Sequence, residues 1–95
     1  MDTKNRIISW EQMSKGTTNA TAIFPREIAA AALRLEATNI ILIHNHPGGG
    51  SDPSAEDILL TAKVAEACAS LDIAVRDHII VTDHDYYSFN EFGRL

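Results

Sequence analysis

The chain is expected to fold as an α/β domain in which helices flank a mixed β-sheet. Three observations point there. Apolar stretches of strand length alternate with two segments whose apolar residues recur at helical spacing. Residues 39–43 (NIILI) form an unbroken β-branched and leucine run, the pattern of a strand inside a sheet. The whole chain has 95 residues, room for one core and one domain, residues 1–95.

Taken in order, residues 6–10 (RIISW) and 19–24 (NATAIF) read as strands separated by the turn-rich 14–18 (SKGTT), most simply a hairpin. Pro25 stands where a first helical turn accepts proline, and 26–37 (REIAAAALRLEA) is rich in strong helix formers, with Ile28, Ala32 and Leu35 on one face. The 39–43 run should then be central in the sheet. A second helix is expected over 54–71 (SAEDILLTAKVAEACASL), with Ile58, Ala62, Ala65 and Cys68 in its apolar stripe and Leu59 and Ala69 widening it. Residues 73–75 and 78–82 give one or two further strands, and 86–89 (YYSF) a last short one before Gly93. The expected order is β-β-α-β-α-β-β. The polar opening residues run directly into a strand, so either the domain begins there or it is truncated at its amino end.

With 45% hydrophobic and 22% charged residues the composition is that of a folded globular protein rather than a disordered chain. Thirteen acidic against eight basic residues give a formal net charge of -5, and the basic residues are scattered. That argues against a broad nucleic-acid footprint, which needs a basic stripe. Trp10, Phe24, Tyr86, Tyr87, Phe89 and Phe92 lack interleaved lysine or arginine and read as core and edge fillers rather than a base-stacking platform. A lone cysteine, Cys68, and the lack of a cationic apolar leader suggest a cytoplasmic location. No apolar stretch approaches the roughly 20 residues of a membrane span.

Residues 44–57 (HNHPGGGSDPSAED) concentrate the chemistry. On a strand, residues two apart share a face, so His44 and His46 project side by side. The glycines at 48–50 permit a sharp turn that returns the next helix over the strand end. Asp57, in the first turn of that helix, can then face both imidazoles. Two imidazole nitrogens and a carboxylate oxygen, with a fourth position left for water, form the open tetrahedral set of a catalytic zinc site. Ser54 lies three residues earlier, where its hydroxyl can meet a substrate oxygen. The structural alternative is that Ser54 and Asp57 are a capping pair and that Asp57 merely favours the helix dipole. An isolated His-x-His would equally be a polar surface pair. The combination of strand, hinge and acidic first turn favours the metal.

The spacing His44-x-His46-Pro47, then Ser54-x-x-Asp57, resembles the signature of the JAMM (MPN+) zinc metallopeptidases. More narrowly, the chain resembles the JAB-type domain of bacterial RadC-like proteins, through residues 2–7 (DTKNRI), 16–17 (GT), 25–27 (PRE), 44–48 (HNHPG), the Pro53-Ser-x-x-Asp57 stretch, 77–81 (DHIIV) and 88–89 (SF). The resemblance implies a JAB/MPN, cytidine-deaminase-like α/β/α sandwich, here missing a first strand or helix. It implies Zn2+ held by His44, His46 and Asp57, with Ser54 stabilising an oxyanion during hydrolysis of a peptide or isopeptide bond in a peptide or protein substrate. A glutamate should act as general base. In the family it lies upstream of the segment matching residues 2–5. Glu11 and Glu27 are the substitutes to weigh, the latter reading as a first-turn helix charge, and no base is assigned.

Asp77 and His78 also match the family, and His78 reads as a hydrogen-bonded structural group; His84 reads as exposed. An HNH nuclease is set aside because its named residues are separated on a ββα-metal unit. A zinc deaminase would need His-x-Glu with a later Pro-Cys-x-x-Cys. The serious rival is a non-catalytic protein-interaction or DNA-repair accessory module of the RadC type, which would restore a nucleic-acid partner by association. An exposed sheet edge would also allow homo-oligomers.

Overall fold

The computed structural model describes residues 5–11, 24–46 and 50–95. Its elements are β1 (Asn5–Glu11), α1 (Pro25–Arg34), β2 (Asn39–Asn45), α2 (Ala55–Ala69), β3 (Ala74–Val81) and β4 (Tyr86–Ser88). The four strands form one mixed sheet in the order β1-β2-β3-β4, parallel through β3 with β4 antiparallel at the edge. This is the expected α/β class. The strand expected over 19–24 lies outside the described residues apart from Phe24, so the hairpin is not addressed; β1 pairs in parallel with β2.

Parallel neighbours must be joined by right-handed crossovers, which carries α1 and α2 to the same face of the sheet. The packing agrees: Ile28, Ala29 and Ala32 of α1 share one buried cluster with Val64 and Cys68 of α2 and with Ile40 and Leu42 of β2. A smaller cluster of Ile80, Tyr87 and Phe89 continues it beneath the start of α2, where Ile58 packs. β2 is central, as its composition implied, and its even positions 40, 42 and 44 are the fully buried ones. The odd positions Ile41 and Ile43 lie on the opposite face with Ile79 and Val81, all half-buried.

Both helices stop by the same device. After α1, the Ala37 N–H reaches Ala32 O and the Glu36 N–H reaches Leu33 O, with Glu36 at φ 54. After α2, Ile73 reaches Cys68 O and Asp72 reaches Ala69 O, with Asp72 at φ 60. These are Schellman closures, in which a left-handed residue ends the helix and the next residue packs back on it. Ala37 and Ile73 are accordingly buried. The closure corrects one expectation: α1 ends before Leu35, which is exposed rather than part of the apolar face. The stripe of α2 is also rotated from the expected one. Thr61, Val64 and Cys68 are its buried positions, and Ala62 is exposed. Alanine supplies too little apolar surface to decide which face turns inward, and Val64 outweighs it.

The segments expected at 73–75 and 78–82 join in one strand, β3 (Ala74–Val81), with a fault in it. The register passes from Ile40↔Val75 to Ile41↔Asp77, leaving Arg76 as the extra residue of a bulge. Its guanidinium Nε donates to Asn39 Oδ1 at 2.7 Å. A one-residue slip exchanges the faces of everything beyond it. Here it turns His78 inward and Asp77 outward.

Candidate metal centre

The carboxyl ends of β1 and β2 and the amino end of α2 meet at one end of the sheet. His44 occupies the last buried position of β2 and is 3% exposed. His46 follows on the same side, its backbone N–H continuing the ladder to Val81 O at 2.8 Å. The ring centroids of His44 and His46 are 5.3 Å apart. His46 Nδ1 lies 3.1 Å from Gly50 O. A carbonyl can only accept, so Nδ1 carries the proton and the lone pair falls to Nε2. Nothing lies within 4 Å of a Cβ built at Gly50, so the site uses that residue's carbonyl and not its lack of a side chain.

Asp57 sits in the first turn of α2. Its Oδ2 accepts the Ser54 N–H at 2.9 Å while Ser54 Oγ accepts the Asp57 N–H at 3.0 Å, a reciprocal capping box. The other carboxylate oxygen, Oδ1, stands 3.8 Å from His44 Nδ1. That separation is too long for a hydrogen bond. Two donors bound about 2.0–2.1 Å from one tetrahedral zinc would stand roughly 3.3–3.4 Å apart, so the pair is close to the spacing a shared cation requires. One oxygen of the Asp57 side chain thus caps the helix and the other is turned toward His44. Among the described residues no three His, Cys, Asp or Glu side chains converge into a complete metal cluster; His44 and Asp57 are the approximated pair, with His46 beside them.

Burial holds the His44 imidazole below its ordinary pKa, against the opposing pull of the Asp57 charge and with a smaller push from His46. A neutral imidazole is the form that can donate a lone pair. Ser54 is exposed, and because its oxygen only accepts in the capping box its own proton remains available.

Behind His44 stands a residue whose place the sequence did not reveal. His78 is fully buried, stacked on Phe89 with centroids 4.6 Å apart and planes at 8°, and nearly parallel to His44 at 6.0 Å. Its Nδ1 lies 2.6 Å from Thr61 Oγ1, which in turn lies 2.7 Å from Asp57 O. Burial above all, with His44 adding to it and Asp57 and Asp77 opposing, lowers its pKa to about 4. Asp77, on the other face, accepts three hydrogen bonds: from His78 N at 2.7 Å, Asn90 N at 3.0 Å and Ser88 Oγ at 2.7 Å. His84 is exposed, as expected.

The two glutamates considered as bases are placed differently. Glu27 Oε1 accepts the Phe24 N–H at 3.1 Å, closing the start of α1. Glu11 is paired with Asn45, the position between the two histidines and of opposite parity.

Comparison with known proteins accounts for the whole chain. Residues 1–94 match the family model described as RadC-like JAB domain. A UPF0758 protein of Ralstonia pickettii (strain 12J) is 42% identical over all 95 residues, and a UPF0758 protein of Janthinobacterium sp. (strain Marseille) is 45% identical over the same span. One from Pelobacter propionicus is likewise 45% identical. The chain covers 42% of the length of each of these relatives.

Proposed function

Because the chain belongs to the RadC-like JAB domain family, we propose that it is a zinc-dependent hydrolase of peptide or isopeptide bonds, with His44, His46 and Asp57 as the metal ligands. The observation that carries the reading is the approach of Asp57 Oδ1 to the buried His44 Nδ1 at 3.8 Å. A helix cap needs only one carboxylate oxygen, and here the second is turned toward an imidazole. When bound, zinc supplies Lewis acidity toward a carbonyl and brings the pKa of a water molecule to about 7.

The chain's own residues do the rest. His44, neutral because it is buried, offers a lone pair without competition from protons at pH 7. His46 is fixed as the Nδ1–H tautomer by the Gly50 carbonyl, which leaves Nε2 to donate. Ser54, anchored through its oxygen to Asp57 N, keeps its O–H free to meet the oxygen on which negative charge develops in a tetrahedral adduct. No described glutamate is given the base's role, since Glu27 is spent on the Phe24 N–H.

That same placement of Glu27 favours a second reading, in which the domain keeps its fold as a non-catalytic protein-interaction or DNA-repair module. Metal analysis separates the two. The hydrolase reading expects about one zinc per folded chain, consistent with three protein ligands around one ion. A folded chain that takes up no zinc would leave the module reading standing.

A further inference from the structure

The buried Thr61–His78 pair is polar machinery that the proposed chemistry does not use. We propose that Thr61 and His78 are positioning residues that set the spacing between His44 and Asp57. The inference rests on the reading of those two as metal ligands. Three observations lead to it.

The first is where the hydroxyl lies. Thr61 Oγ1 is 2.7 Å from Asp57 O and 2.6 Å from His78 Nδ1. A hydroxyl has one proton, and a carbonyl can only accept, so Thr61 donates to Asp57 and accepts from His78 Nδ1–H. One oxygen therefore ties the backbone of Asp57, on α2, to a ring on β3. The second is the stack. His78 lies between Phe89 at 4.6 Å and His44 at 6.0 Å, both close to parallel, so the ring held by Thr61 is also a wall against which His44 rests. Helix and strand are thus braced to each other on both sides of the 3.8 Å approach.

The third is the bulge. Were Arg76 paired in regular alternation instead of bulged, β3 would put Asp77 inward and His78 outward. A regular strand interrupted to bring an imidazole into an apolar interior, where leucine would pack at no polar cost, indicates a use for that imidazole. Zinc ligands tolerate errors of only about 0.2 Å in bond length, so a brace between the elements bearing them has direct consequences for affinity.

Four proteins test this: wild type, Thr61→Val, Thr61→Ser and His78→Phe. Zinc affinity is measured by competition with a chromophoric chelator, the visible spectrum is recorded after cobalt(II) loading, and the thermal midpoint is taken for each metal-free form. Thr61→Val keeps the side-chain volume and removes the tie; the expected loss is about 10–100-fold in zinc affinity, the range for partners that orient ligands, with an altered cobalt spectrum. Thr61→Ser keeps the hydroxyl and should restore both. His78→Phe keeps the stack and loses the tie, so it should resemble Thr61→Val, and it carries the comparison if Thr61→Val does not fold. Folded valine and phenylalanine variants that bind zinc like wild type with an unchanged spectrum overturn the inference. So does a serine variant as impaired as valine, which would make the position one of packing alone. A wild type that binds no zinc removes the metal reading and this inference with it; a zinc-loaded wild type with indifferent variants removes only the latter.

Discussion

Acidification should destabilise the metal-free protein well above the range in which carboxylates titrate, and His78 is the reason. Its pKa in the folded state is lowered to about 4 from an ordinary 6.5. Between those values the unfolded chain takes up a proton that the folded chain excludes, so stability rises with pH through the window. The contribution is fully present above about pH 6.5, falls by about 1.36 kcal/mol per unit as pH drops, and is exhausted near pH 4. From pH 7 to pH 5 the fall spans about 1.5 units, or about 2 kcal/mol, a large share of the 5–15 kcal/mol typical of a small domain. His44, lowered in the same direction by burial, adds to the slope. The assay is urea unfolding of chelator-treated protein at pH 7, 6 and 5, for wild type and His78→Phe. The variant should retain only the shallower slope due to His44. Parallel loss in the two proteins, or no loss by pH 5, would refute the assignment of His78 as a buried neutral group.

Other outcomes follow from single contacts. Asp57→Asn retains an oxygen for the Ser54 N–H and gives up the ligand charge; calorimetry should show a stability loss within about 1 kcal/mol, while zinc binding weakens beyond the 10–100-fold typical of outer-shell changes. Asp72→Gly relieves an exposed left-handed residue at φ 60. The strain relieved, less the entropy glycine loses on folding, leaves a gain of about 0.5–1 kcal/mol, readable as a higher thermal midpoint. Asp77→Ala strips the acceptor from Ser88 Oγ and the His78 and Asn90 amides; the expected cost is about 3 kcal/mol in urea unfolding, given the buried Ser88 hydroxyl.

Much of the sheet was readable because its signals are local. The 39–43 run announced β2 through composition alone, and the proline at 25 and the serine at 54 marked where helices begin. Helix ends were harder to see. Both Schellman closures place an acidic residue, Glu36 or Asp72, where glycine is the usual sign, so the stop is made by the buried Ala37 and Ile73 that follow. The phase of α2 was ambiguous because alanines occupy several of its faces, and the tertiary choice fell to Val64 and Thr61.

Of the candidate site, His44, His46, Ser54 and Asp57 stood out through spacing, and the structure brings His44 and Asp57 together. That one Asp57 oxygen caps the helix while the other turns toward His44 was invisible, since a capping box has the same letters either way. His78 was expected to be a hydrogen-bonded structural group, as it is, but its place beside His44 was not foreseen. Its inward turn depends on a bulge at Arg76 that no periodicity reports, and its partner Thr61 lies 17 residues away on another element. The paired matches 77–78 and 88–89 did carry a trace of it. Asp77 bonds Ser88, and His78 stacks on Phe89.

X-ray absorption at the zinc edge of the reconstituted protein addresses the metal centre most directly. Two imidazole nitrogens at about 2.0–2.1 Å together with oxygen donors, one imidazole disappearing in His46→Ala, is the expected result. Sulfur scattering at about 2.3 Å, which only Cys68 or a methionine could supply, or a folded protein that holds no zinc, would contradict it.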